Sequence, residues 1–82
     1  MNPPPRRLYL PKRARIEADE AGRPLALERV KVASVREEWL VEDGWWTQKP
    51  LQRRYFELAL EDGSDVVVFC EPETGRWFRQ RD

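Results

Sequence analysis

Histidine is absent from this 82-residue chain. Its absence removes His-dependent metal sites, Ser–His–Asp triads and Cys–His dyads. Cys70 is the single cysteine, so no disulfide can close within the chain and no multi-cysteine zinc site can be built from it. Four scattered glycines provide no loop to cradle a phosphate. An excess of either charge is missing too. Fifteen basic and fifteen acidic side chains balance to zero, so bulk charge does not hold a nucleic acid here. No apolar run approaches the ~20 residues of a membrane-crossing helix, and the longest, residues 66–70, is strand-sized. The basic N-terminus has no hydrophobic stretch behind it and does not read as a secretory signal. An unpaired cysteine with no export signal points to a reducing, cytoplasmic setting.

What the chain does hold is rings. Four Trp, two Tyr and three Phe must share a small interior. A chain of this size buries only about 60% of the surface it exposes when unfolded. Some ring is therefore expected outside, where another macromolecule can cover it. The charges are balanced in total but not in order. Residues 1–36 are net basic, residues 37–75 net acidic, and the last seven basic again. Opposed halves can pair internally across strands, or one of them can serve as a contact surface. Arginine far outnumbers lysine, and labile residues are few. That composition suits a heat-adapted source, and equally a GC-rich genome.

Residues 1–7 read as a flexible Pro/Arg-rich tail, and 8–82 as a single small β domain. Leu8-Tyr9-Leu10 is a short apolar cluster able to dock on a sheet. Residues 13–18 alternate, with Ala14, Ile16 and Ala18 on one face. A turn around Gly22 follows, and residues 25–32 resume an extended chain. Residues 30–41 form the longest candidate strand. Val30 and Val32 share a face, while Val35, Glu37, Trp39 and Val41 run at period two but out of phase with them. That offset requires a bulge near Ala33-Ser34. A helix over residues 29–40 is the rival, which the β-branched valines oppose. Glu42-Asp43-Gly44 signals a turn, and residues 45–50 a connection. Residues 55–61 place Phe56, Leu58 and Leu60 inward; Asp62-Gly63 is a strong hairpin signal. Residues 66–70 return as a strand apolar on both faces and so central. Residues 71–75 turn, and residues 76–80 form the last strand. The expected fold is mainly β: an antiparallel meander of five to six strands, closed as a strongly bent sheet or small open barrel.

No catalytic, metal-binding or cofactor-binding residue is indicated. Ser34 and Ser64 lack an activating base, Cys70 reads as a small core hydrophobe, and no pair of carboxylates is singled out. Trp39 and Trp77 sit in strand patterns and suit core or cross-strand packing. Trp45 and Trp46 are adjacent, so in extended chain they point to opposite faces. One can anchor a protein partner, or a nearby arginine can cover it. Arg53, Arg54, Tyr55, Arg76 and Trp77 interleave cations and rings as single-stranded nucleic-acid binders do. Ordinary packing of arginine stems on strand aromatics gives the same pattern. An uncovered edge strand would equally allow a homodimer.

From about residue 15 to residue 80 the order of elements resembles a small domain found at the C-terminus of ImuB-type proteins. The matching elements are Gly22-Arg23-Pro24, Val30 and Val35 before Trp39, the pair Trp45-Trp46, and Arg54-Tyr55-Phe56. The Asp62-Gly63 turn, Val68-Phe69 and Gly75-Arg76-Trp77-Phe78 complete the order. ImuB-type proteins are inactive relatives of translesion polymerases, and the domain also occurs as a short free-standing protein. The resemblance implies a non-catalytic accessory module in or near DNA repair and translesion synthesis. It implies a protein partner in a mutagenesis complex, and it carries over no functional residue.

Overall fold

The computed structural model describes residues 11–43 and 51–80. The expected tail at residues 1–7, the Leu8-Tyr9-Leu10 cluster and the Trp45-Trp46 pair lie outside the described residues. The strands are β1 (Lys12–Arg13), β2 (Ile16–Ala18), β3 (Pro24–Leu27), β4 (Val30–Asp43), β5 (Leu51–Leu60), β6 (Asp65–Glu71) and β7 (Arg76–Arg79). They form one antiparallel sheet in the order β1-β7-β6-β5-β4-β3-β2. Among the described residues no helix is present, so none is long and apolar enough to cross a membrane.

The two ends of that order are consecutive in the chain. Only Ala14 and Arg15 separate β1 from β2, so Arg13 and Ile16 lie within about 11 Å of each other. A flat sheet of this order would hold its edges roughly 29 Å apart at the usual strand spacing. The sheet therefore curls into a half-barrel. Both linking residues continue the pairing: the Ala14 N–H donates to the Trp77 carbonyl at 3.0 Å, and the Glu28 N–H to the Arg15 carbonyl at 2.7 Å. The bent, mainly β meander expected from the sequence is the fold observed.

Seven strands replace the expected five to six among the described residues, for two reasons. The extended start divides between the two sheet edges. Residues 25–32 are not continuous either: Glu28 takes a φ of 55°, and Glu28 and Arg29 make a tight turn between β3 and β4. Residues 29–40 belong to strand, not helix, from Val30 onward. The expected bulge lies between Val32 and Ser34. A second register shift, between Val35 and Glu37, was not foreseen. It matters more, because a one-residue slip moves all later side chains to the other face. Val35 packs on the core, whereas Trp39 pairs with Tyr55 and Val41 with Arg53 on the opposite face. The sequence pattern had grouped Val35, Trp39 and Val41 together. Two boundaries also move: β4 runs through Glu42 to Asp43, and β5 starts at Leu51 rather than Tyr55.

The concave face holds the core. Leu27, Phe56, Leu58, Leu60, Val66 and Val68 are buried, with Ala14, Ile16, Val30, Val32, Val35 and Trp77 packed around them. Ala18, expected beside Ala14 and Ile16, is exposed. The Asp62-Gly63 hairpin forms as expected, with Gly63 at a φ of 90° and the Asp62 carboxylate accepting the Ser64 N–H.

Candidate functional site

Strand alternation on β5 sets two rows of side chains on opposite faces. Phe56 points into the core, so Tyr55 points out. Register then carries Tyr55 across the convex face. It lies opposite Trp39 on β4 and Phe69 on β6, and Phe69 lies opposite Phe78 on β7. The four rings make a ladder with centroid separations of 5.3, 4.9 and 5.1 Å. Its far end is closed by β1, where Arg13, directly opposite Phe78, holds its guanidinium over that ring at 5.8 Å. Arg53 lies over Phe69 at 5.1 Å. That cover accounts for a phenylalanine only 3% exposed on a convex face. It also leaves the Arg53 Nε buried with no hydrogen-bond partner among the described residues. Trp39, Tyr55 and Phe78 stay half-buried.

The concave row beside the core reads Leu40, Arg54, Cys70 and Trp77 from β4 to β7. Arg54 is the organising group. It sits over Phe56 at 5.2 Å, pairs with Glu38 at 2.6 Å and donates to the Ala21 carbonyl at 3.3 Å. Trp77 packs on Phe56 at 5.6 Å. Burial raises the Cys70 thiol above its ordinary range, against a smaller opposing pull from Arg54.

The candidate residues therefore divide. Arg53, Tyr55 and Arg76 lie on the convex face, while Arg54 and Trp77 lie on the concave one. They do not form a single patch. Trp45 and Trp46 lie outside the described residues. Phe69 and Phe78 were not singled out from the sequence, and Trp39 was read only as packing. Their common row depends on three hairpin registers and the second β4 bulge, which no local pattern displays.

Two further features bear on chemistry. β3 meets β4 only at Val30 and Lys31. Among the described residues, no strand pairs with the remainder of β4 on the side away from β5. Leu40 and Val41, on that free stretch, are among the exposed large apolar side chains, at 59% and 36%. Separately, an open depression gathers Glu57 and Asp65 with Lys12 and Arg79. Asp65 is held by Arg36 at 3.2 Å in an exposed pair. This is a solvated mixture of charges. Among the described residues, no group of three or more Cys, Asp or Glu side chains could hold a metal ion.

No family model, curated protein or solved structure matches the chain. The likeness to the ImuB-type domain thus stands on the sequence elements alone.

Proposed function

We propose that this chain is a non-catalytic interaction module that binds a protein partner through aromatic side chains left on the convex face of its sheet. The observation that carries the reading is the ladder Trp39–Tyr55–Phe69–Phe78. A sheet whose main hydrophobic cluster lies on its concave side still keeps three partly exposed rings in register on the other. Large rigid rings beside arginine are the side chains that most often anchor protein partners. The resemblance to the ImuB-type domain adds, as part of the same proposal, a partner in a cytoplasmic DNA-repair or translesion-synthesis assembly.

A single-stranded nucleic acid would need open ring faces on which bases can stack. Tyr55, Phe69 and Phe78 are each flanked on both sides by another ring or by a guanidinium. This favours a protein partner over the nucleic-acid alternative.

The test is co-purification with the intact chain and with Trp39→Ser and Phe78→Ser variants shown to be folded by circular dichroism. The reading requires a stoichiometric partner that both variants lose. A partner set unchanged by both overturns it. The same comparison with Trp45→Ala and Trp46→Ala tests the two tryptophans that the sequence nominated. Trp fluorescence quenched by oligothymidylate at low salt, and restored by added salt, would favour nucleic acid instead.

A further inference from the structure

We propose that the edge of β4 that no described strand pairs, over residues 38–42, takes up an extended peptide strand that carries a basic side chain opposite Trp39. The inference rests on the docking reading above and names the partner's form and charge.

Edge strands are normally blunted by bulges, charges or a covering element. In β4 that protection is uneven. Both register shifts fall before Glu37, and Lys31 and Arg36 lie in the same first half. From Glu38 to Asp43 the pairing with β5 is regular. Trp39 and Val41 flank this backbone on the convex face and Leu40 on the concave face, so an added strand would gain apolar contact on both sides.

The opposite end of the ladder displays what such a strand does. There β1 is the added strand, and it sets Arg13 over the terminal ring in register. At the β4 end, Tyr55 is the one described ring stacked on Trp39. A cation placed opposite Trp39 would complete the row in the same way. Charge points in the same direction. Residues 37–43 hold no basic side chain; of their acids Glu38 is paired with Arg54, while Glu37 shares the convex face with Trp39. A second copy of the chain fits poorly for the same reason. Antiparallel self-pairing centred on Leu40 would set Glu38 against Glu42, and like charges directly across a sheet repel.

The experiment is titration of the isotopically labelled full chain with a capped hexapeptide of alternating arginine and valine. An alternating glutamate–valine peptide is the control. The expected result is shifts in the backbone amides of residues 38–42, exchange at least about tenfold slower at those that point away from β5, and weakening with salt. Trp39→Ala should weaken binding about fivefold. Glu37→Lys should weaken it as well while leaving the fold intact, which separates lost binding from lost folding. Equal binding of the acidic peptide, or no binding of the basic one, overturns the proposal. Shifts confined to Tyr55 and Phe78, with residues 38–42 unmoved, overturn strand addition but leave docking on the face intact. A dimer in sedimentation, with residues 38–42 protected before any peptide is added, assigns the edge to a second copy and also overturns it.

Discussion

Trp39 and Tyr55 face each other across the β4–β5 register, with ring centroids 5.3 Å apart and planes 14° from parallel. The stack lies on the convex side of the sheet, away from the core. It makes Tyr55 the centre of the exterior packing, since Phe69 closes on its other side at 4.9 Å.

Replacing Tyr55 by alanine should therefore remove two ring contacts at once. Each is worth about 0.5–1.5 kcal/mol beyond area burial, so the expected loss is about 2 kcal/mol in urea unfolding. A double-mutant cycle of Trp39→Ala with Tyr55→Ala should return a coupling of about 1 kcal/mol. Strict additivity would show that the rings merely lie side by side. Phe69→Ala should cost more, about 3–5 kcal/mol, because that ring is enclosed.

Gly22 and Arg54 give a second test. Gly22 takes a φ of 83°, and a Cβ built on it would lie 2.9 Å from an Arg54 guanidinium nitrogen. Gly22→Ala should cost roughly 1 kcal/mol from the left-handed backbone alone. Displacing Arg54 from its half-exposed pair with Glu38 adds at most about 1 kcal/mol. With Arg54→Met already in place, only the backbone part should remain. An unchanged penalty in that background would show that Arg54 moves aside freely.

Much of this fold was legible in the chain. Phe56, Leu58 and Leu60 alternate against Tyr55 and Glu57 without interruption, so the inner face of β5 could be read directly. The Asp62-Gly63 turn and the odd spacing between Val32 and Val35 fixed a hairpin and a bulge for the same reason: each is a local backbone demand. The exterior ladder was not legible. It joins residues from four strands, and its β4 member reaches the outer face only through the second register shift, at Arg36. Nothing in Val35-Arg36-Glu37 marks that shift, since no glycine or proline punctuates it. The closure between Arg13 and Ile16 was hidden in a similar way. An alternating segment shows that it is extended, but not that its two halves pair with opposite sheet edges.

Glu37 and Glu57 lie directly opposite each other in the β4–β5 ladder. Like charges so placed weaken a sheet. Glu37→Lys should raise stability by about 0.5 kcal/mol at low ionic strength, and the gain should fade in molar salt. Thermal melts of the two proteins across a salt series provide the measurement. A gain insensitive to salt would point to strand propensity rather than charge.

The pH dependence turns on Asp62. The Ser64 hydroxyl donates to its carboxylate at 2.6 Å, and the Ser64 backbone N–H donates at 2.9 Å. Both bonds favour the ionised form and hold the group below the ordinary carboxylate range, the hydroxyl contributing most. The unfolded chain lacks these bonds and so binds the Asp62 proton more tightly. The stabilisation is therefore complete above the unfolded value, near 4, and is lost as pH falls through the lower folded value. Asp62→Asn keeps the acceptor but not the charge. Its stability deficit should be constant near neutrality and should close as the pH falls below the unfolded value and through the lower folded one. Ser64→Ala should move the Asp62 titration, followed by carboxyl carbon NMR, upward toward the unfolded value. A titration unmoved in Ser64→Ala would remove the hydroxyl as the cause.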